Sequence, residues 1–181
     1  MHDAVRDAFP ELADLADADL ADRVAQVWAD GLAASDFETL EAVPFSPKYA
    51  EDIGDVRLVD HTRDVTRWAT TLADTAVSLQ DVDLDRDIVL AGAVLHDVSK
   101  LHEYSAYADG MFGDQVPHPY YGVHMVAAAD LPTHLQHIVV SHSGSTPVKP
   151  TTIEAKLVEY GDLLAVHGLF WNTAEKLFPN D

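Results

Sequence analysis

Eight consecutive residues, Ile88 to Leu95 ("IVLAGAVL"), carry no polar side chain and run straight into "HDVSK", His96 to Lys100. A helix that is apolar on every side has no face to turn to water, so other elements must surround it. The acids of "DVDLDRD" just before it favour a helix start, and the stretch reads as a buried helix ending near His96. Such a helix carries His96 and Asp97 into the interior. A buried imidazole and carboxylate need partners for their charge and lone pairs. A hydrogen-bond network, a proton-transfer pair and a metal ion would each meet that need.

The rest of the chain supplies helices to enclose this segment. Leu12, Leu15, Leu20, Val24, Val27 and Trp28 recur at helical spacing over 11–33, as one helix or a short pair. "SDFE" offers a capping box, Ser35 with Glu38, that begins another helical turn. Pro44 and Pro47 mark a connector with short helical pieces. Val65, Trp68, Ala69, Leu72, Ala76 and Leu79 form the stripe of a long helix. Gly110, Gly113, Pro117 and Pro119 mark 105–119 as a loop. Helical pattern resumes in "YYGVHMVAAA", breaks at Pro132, resumes in "THLQHIVVSH", and after the loop "SGSTPVKP" fills the last segment, with Gly161 and Gly168 as points of irregularity. No alternating run is flanked by a hairpin signal. The fold class is all-α, a single-domain helical bundle: 181 residues with 48% apolar content suffice for one core.

Charge limits the partners. The chain has 31 acids against 11 lysines and arginines, a net charge of −20. That field repels nucleic-acid backbones at long range, so no large nucleic-acid partner is expected, although a short RNA end or a small anion can enter a pocket whose cations reverse the field. Acids spread along the helices instead of gathered in one tail resemble the surfaces of proteins from salt-loving cells, where ionic strength screens self-repulsion; an acidic mesophilic protein is the plainer alternative. The absence of cysteine excludes disulfides, thiolate metal sites and thiol nucleophiles. With neither a leader pattern nor an uninterrupted apolar run long enough to span a bilayer, the expectation is a cytoplasmic protein away from membranes. Amphipathic segments at 11–33 and 165–178 offer faces for a homodimer.

Ten histidines are many for this length. His61, His96, His124 and His142 each adjoin an apolar helical pattern at or near a helix end, and Asp97 and Asp162 accompany them. Singly, each has an ordinary reading: a hydrogen-bonded helical histidine, a helix-terminal His with a capping Asp, a core histidine on a carbonyl, a turn residue, an exposed acid. Jointly, bundled helices would converge these groups on one cavity. Imidazoles and carboxylates without thiolates suit Mn, Fe, Co, Ni or Zn.

The order His61, "HDVSK", His124, His142, Asp162 resembles the HD-domain family of metal-dependent phosphohydrolases. "LVDHTRDV" is similar to the helix bearing that family's first His ligand, "LAGAVLHDVSKLHEY" to its His-Asp-x-x-Lys signature, and "VVSHSG" with "PVKPTTIEAKLVEYGDLLAV" to its later segment. The resemblance covers about 50–165 as the metal-binding core and leaves 1–48 as a helical extension packed on it. It implies that His61, His96, Asp97 and Asp162 hold one divalent ion, and that Asp97 faces a second with His124 and His142. Related branches holding two ions act on cyclic or dinucleoside phosphodiesters, and some are exoribonucleases; several carry paired histidines where this chain has Ser141 and His142. If one ion binds, His124 and His142 become phosphate ligands or proton carriers.

The activity implied is hydrolysis of a nucleotide-type phosphoester or phosphodiester by a metal-activated water, with Asp97 and Lys100 as catalytic residues. Lys100 lies one helical turn beyond Asp97 and can stabilise charge developing on phosphorus. Arg57, His118 and Lys149 are candidate phosphate contacts, with Arg63 the weakest addition. Tyr104, Tyr107, Phe112, Tyr120 and Tyr121 are candidates for stacking on a base. No GxGxxG, GxxxxGK[ST] or serine-elbow motif competes with this reading. The alternative is an inactive, metal-stabilised module that binds a nucleotide or a protein.

Overall fold

The structure is a computed structural model that describes residues 2–105 and 115–171. The expected loop residues Gly110 and Gly113, the aromatics Tyr107 and Phe112, and positions 172–178 of the expected last helix lie outside the described residues.

The apolar run forms α5 (Arg86–Leu95), and every residue from Ile88 to Leu95 is buried. Asp85 caps it by accepting from the amides of Asp87 and Ile88, which satisfies two of the donors a helix start leaves free. Around it stand α2 (Ala18–Ala33), α4 (Leu58–Gln80), α8 (Thr133–Ser141) and α9 (Ile153–Phe170). Shorter helices complete the order: α1 (His2–Ala8), α3 (Ala50–Ile53), α6 (Lys100–Glu103) and α7 (His118–Ala128). No strand occurs among the described residues, and an isolated bridge joins Pro44 to Arg57. No helix among them is long and apolar enough to cross a membrane.

Two glycines let the layers close. A Cβ at Gly92 would meet Ile138 at 2.6 Å, so α8 lies directly on α5 there. A Cβ at Gly161 would stand 3.0 Å from the backbone of both Ala69 and Val65. α9 runs through Gly161 without a break, and the missing side chain there leaves room for the backbone of α4; the expected irregularity is a contact. The N-terminal helices bury Phe9 against Trp28, and the Trp28 indole donates to the Val94 carbonyl at 3.0 Å. This covers the apolar face of α2 with the protein's own core, so the 11–33 face is not free for a dimer.

The first segment is a short pair, a 3-10 turn at Pro10–Asp14 followed by α2. The capping box at Ser35 does not form: its hydroxyl donates to Leu32 and accepts from Phe37, closing a bend. The next helical turn waits until Leu40–Ala42.

Candidate metal centre

Two helices end in the same device. His96 follows the last residue of α5, and its Nδ1 lies 2.6 Å from the carbonyl of Ala93; His142 follows α8, with Nδ1 2.8 Å from Val139. A carbonyl only accepts, so each Nδ1 carries a proton, and in the neutral ring the Nε2 lone pair is left pointing inward. Both Nε2 atoms face Asp97, at 3.3 Å from Oδ2 for His96 and 3.4 Å from Oδ1 for His142.

Two further histidines complete the centre. His61, from the first turn of α4, places Nε2 3.2 Å from Asp162, 3.5 Å from Asp97 Oδ2 and 3.3 Å from His96 Nε2. His118, the first residue of α7, places Nε2 3.0 Å from Asp97 Oδ1 and 3.4 Å from His142 Nε2. Its backbone is held by the Ser99 hydroxyl, which donates to the His118 carbonyl at 2.6 Å, and Glu103 lies 3.5 Å from its Nδ1. The ligand atoms fall into two triads, His61–His96–Asp162 and Asp97–His118–His142, each within 4.8 Å. Asp97 turns one carboxylate oxygen to each.

The chemistry of this set is unusual for a core. His61, His96, Asp97 and His142 are all at most 2% exposed, yet nitrogen faces nitrogen and lone pair faces carboxylate. Asp97 Oδ1 and His61 Nδ1 have no hydrogen-bond partner among the described residues. Protons can relieve single contacts; a divalent ion satisfies three inward atoms at once, so the donor set fits such ions in two positions that share Asp97. The electrostatics agree. Burial alone would raise the carboxyl of Asp97, but Lys100, His96, His118 and His142 hold it well below the usual carboxylate range. Asp162 is likewise lowered against its burial, first by the hydrogen bond from His61. Burial would push His61 down, and the hydrogen bonds and charges of Asp162 and Asp97 lift it instead. Both carboxylates are therefore held in the ionised form.

A cavity of about 430 Å³ opens over Asp97 and Asp162. Lys100 lines it, with Nζ 2.8 Å from Asp97 Oδ2 and 4.1 Å from the centre of the Phe45 ring. Phe45, Tyr49, Val166 and Phe170 make an apolar wall, and Lys48, Tyr104, Ser143 and Ser145 supply polar groups around it. Burial, with Glu103 and Asp97 nearby, pushes the Tyr104 phenol far above its ordinary value, so it stays a neutral donor.

The structure brings together His61, His96, Asp97, Lys100, His118, His142 and Asp162. It does not bring His124, which lines a separate cavity and lies tilted against Tyr121 with ring centres 5.5 Å apart; His118 occupies the position beside Asp97 that the family resemblance suggested for His124. Arg57 pairs with Asp55 and bonds the Ala42 carbonyl, and Lys149 is exposed; neither lines the cavity over Asp97. Arg63 pairs with Glu11. Of the candidate stacking residues, Tyr104 lines that cavity, whereas Tyr120 is exposed and Tyr121 lines the other. The aromatic wall is made by Phe45, Tyr49 and Phe170, and Lys48 joins it; sequence reasoning passed over these. For Phe45, Lys48 and Tyr49 the signal was the connector itself, "VPFSPKY", whose prolines hold aromatic and basic side chains in a segment without a helical face of its own.

The family model described as the HD domain matches residues 58–166. The dihydroneopterin 2',3'-cyclic phosphate phosphodiesterase of Methanocaldococcus jannaschii is 36% identical to the chain over 110 residues, which are 58% of this chain and 44% of that protein. The chain thus spans less than half the length of that relative. No solved structure matches the chain.

Proposed function

The chain belongs to the HD domain family, and on that premise we propose that it is a metal-dependent phosphohydrolase acting on a small nucleotide-type phosphoester or phosphodiester. In this reading His61, His96, Asp97 and Asp162 hold the first divalent ion, and Asp97, His118 and His142 the second. The donor set suits Mn, Fe, Co, Ni or Zn. The observation that carries the reading is the single carboxylate of Asp97 presented to both triads, the arrangement needed to hold two ions within reach of one phosphate. Bound ions would supply Lewis acidity to the phosphoryl oxygens and lower the pKa of water.

The chain's own residues do the rest. Lys100 is held against Asp97 and Phe45, so its ammonium is fixed at the cavity floor, where charge grows on the non-bridging oxygens. Tyr104, Ser143 and Ser145 offer hydrogen bonds to the ester oxygens, and Lys48 offsets the acidic field at the mouth. Phe45, Tyr49 and Phe170 give a flat apolar wall against which the organic part of the substrate can lie. The named relative acts on a 2',3'-cyclic phosphate, and likeness to it makes a cyclic phosphodiester of a nucleoside-like alcohol the first substrate to try.

The acid excess of 31 to 11 supports a working environment of high ionic strength, a salt-loving cell's cytoplasm, in which self-repulsion is screened. The test is a panel of 2',3'-cyclic nucleotides, dinucleoside polyphosphates, phosphomonoesters and short RNAs, assayed with Mn, Co or Zn at low and high potassium chloride. Ring opening of a cyclic diester, lost on chelation and restored by metal, is expected. A metal-loaded protein that cleaves no member of the panel overturns the reading.

A further inference from the structure

A histidine that ligates a metal through Nε2 is ordinarily held at Nδ1 by a carbonyl or carboxylate, which fixes the plane of its ring. His96 and His142 have that hold in the carbonyls of Ala93 and Val139, and His118 has Glu103 3.5 Å from its Nδ1. His61 has none: its Nδ1 is buried and without a hydrogen-bond partner among the described residues. Rotation of an imidazole about its Cβ–Cγ bond follows a broad potential, and it swings the Nε2 lone pair off a fixed target. The contacts of His61 with Asp162 at 3.2 Å and Asp97 at 3.5 Å act at Nε2 alone. Another group must hold the plane.

The ring of Phe45 lies where that hold is needed. It stacks on His61 with centres 3.8 Å apart and planes 25° from parallel, and it is 5% exposed. Lys100 Nζ stands 4.1 Å from the centre of the same ring, so Phe45 touches both a ligand of the first ion site and the cation beside it. Backbone pairing sets its place. The Phe45 amide donates to the Val56 carbonyl and the Leu58 amide to the Val43 carbonyl, each at 2.9 Å, on either side of the bridge between Pro44 and Arg57. Leu58 starts α4 and His61 stands in its first turn, so one short antiparallel pairing registers the phenyl ring against the imidazole. Metal ligation draws electron density out of an imidazole, and the negative face of a benzene ring favours such a neighbour. Phe45 also precedes residues 58–166, the region matched by the HD domain model, and reaches the centre from outside it.

We propose that Phe45 is a positioning residue of the metal centre, whose stacking holds the His61 imidazole in the plane that aims Nε2 at the first ion. The inference rests on the metal reading above. Stacking fixes the plane, and the Asp162 carboxylate then selects, of the two orientations related by a half-turn of the ring, the one that puts Nε2 inward in place of Cε1. An aliphatic residue of similar bulk fills the space without supplying a flat face, so this role is separable from core packing.

The test is calorimetric titration of the metal-depleted full chain with Mn, comparing the wild type with Phe45→Leu and Phe45→Tyr. Helical content and unfolding midpoint are measured on each, and Phe45→Met serves if the leucine variant does not fold. In Phe45→Leu the first ion should bind about 10–100-fold more weakly, while the second, held by Asp97, His118 and His142, keeps its affinity. Phe45→Tyr, which retains the ring, should restore the first. In NMR spectra of the metal-depleted protein the His61 ring protons should move downfield in Phe45→Leu, as the ring current of the stacked phenyl is lost. A folded leucine variant that binds both ions as tightly as the wild type, or whose His61 protons do not move, overturns this inference alone. Equal weakening of both ions also overturns it, since that is the mark of a loosened core. A folded wild type that binds no ion overturns the metal reading, and this inference with it.

Discussion

The protein holds two gatherings of imidazoles that differ in how the rings meet. Around Asp97, His61, His96, His118 and His142 approach through their nitrogens, with Nε2 atoms 3.3 and 3.4 Å apart. Around Tyr121, His102 and His124 approach through ring faces and edges, with centroids 4.9 and 5.5 Å from the tyrosine. The second arrangement is ordinary packing of flat, polarisable groups and asks for no ion. The first sets lone pairs against lone pairs and carboxylates, an arrangement that costs a core dearly unless protons or cations stand between them. The lesson is that a histidine's partner at Nδ1 says more than its burial: where a helix-end carbonyl takes the Nδ1 proton, Nε2 becomes a directed ligand.

The comparison breaks most sharply at Asp97. Asp97→Ala removes the group shared by both triads, and turnover of any phosphoester substrate should fall by roughly 10³-fold or more, measured as kcat with metal in excess; a folded variant with near-normal kcat would mean that the two triads do not share a centre. Lys100→Met should lower kcat by about 10²-fold while leaving metal content unchanged, the outcome expected of a cavity-lining lysine that serves the phosphate and is no ligand. The two gatherings can be set against each other on one helix. His118→Ala should weaken binding of one ion by about 10–100-fold, read by calorimetric titration, whereas His124→Ala should alter metal binding and kcat by no more than about twofold.

Those paired substitutions also mark the limit of what the sequence disclosed. The helical pattern singled out His61, His96, Asp97, His142 and Asp162 together with His124, because each adjoins an apolar helical run; it was the resemblance to the HD-domain family that ordered them as a ligand set. Positions 118 and 124 were not separable in the same way. They lie six residues apart on α7, more than a turn and a half, so at 3.6 residues per turn they point about 120° away from each other. Only one can face Asp97, and which one depends on how Pro117 starts the helix and how Ser99 grips its first carbonyl, tertiary contacts that no periodicity records. The cavity wall was hidden for a related reason: Phe45, Lys48 and Tyr49 sit in a connector of short turns that packs on α9, as in the edge-on contact of Tyr49 with Phe170. Arg57, by contrast, was misplaced by proximity: it is near His61 in sequence, but its side chain is committed to Asp55.

The most direct test of the centre is a calorimetric titration of metal-depleted protein with Mn or Zn, checked by elemental analysis of the loaded sample. Two ions per folded chain, with both affinities collapsing in Asp97→Ala and one in His118→Ala, is the predicted result. A folded wild-type chain that binds no ion would contradict the account at its root.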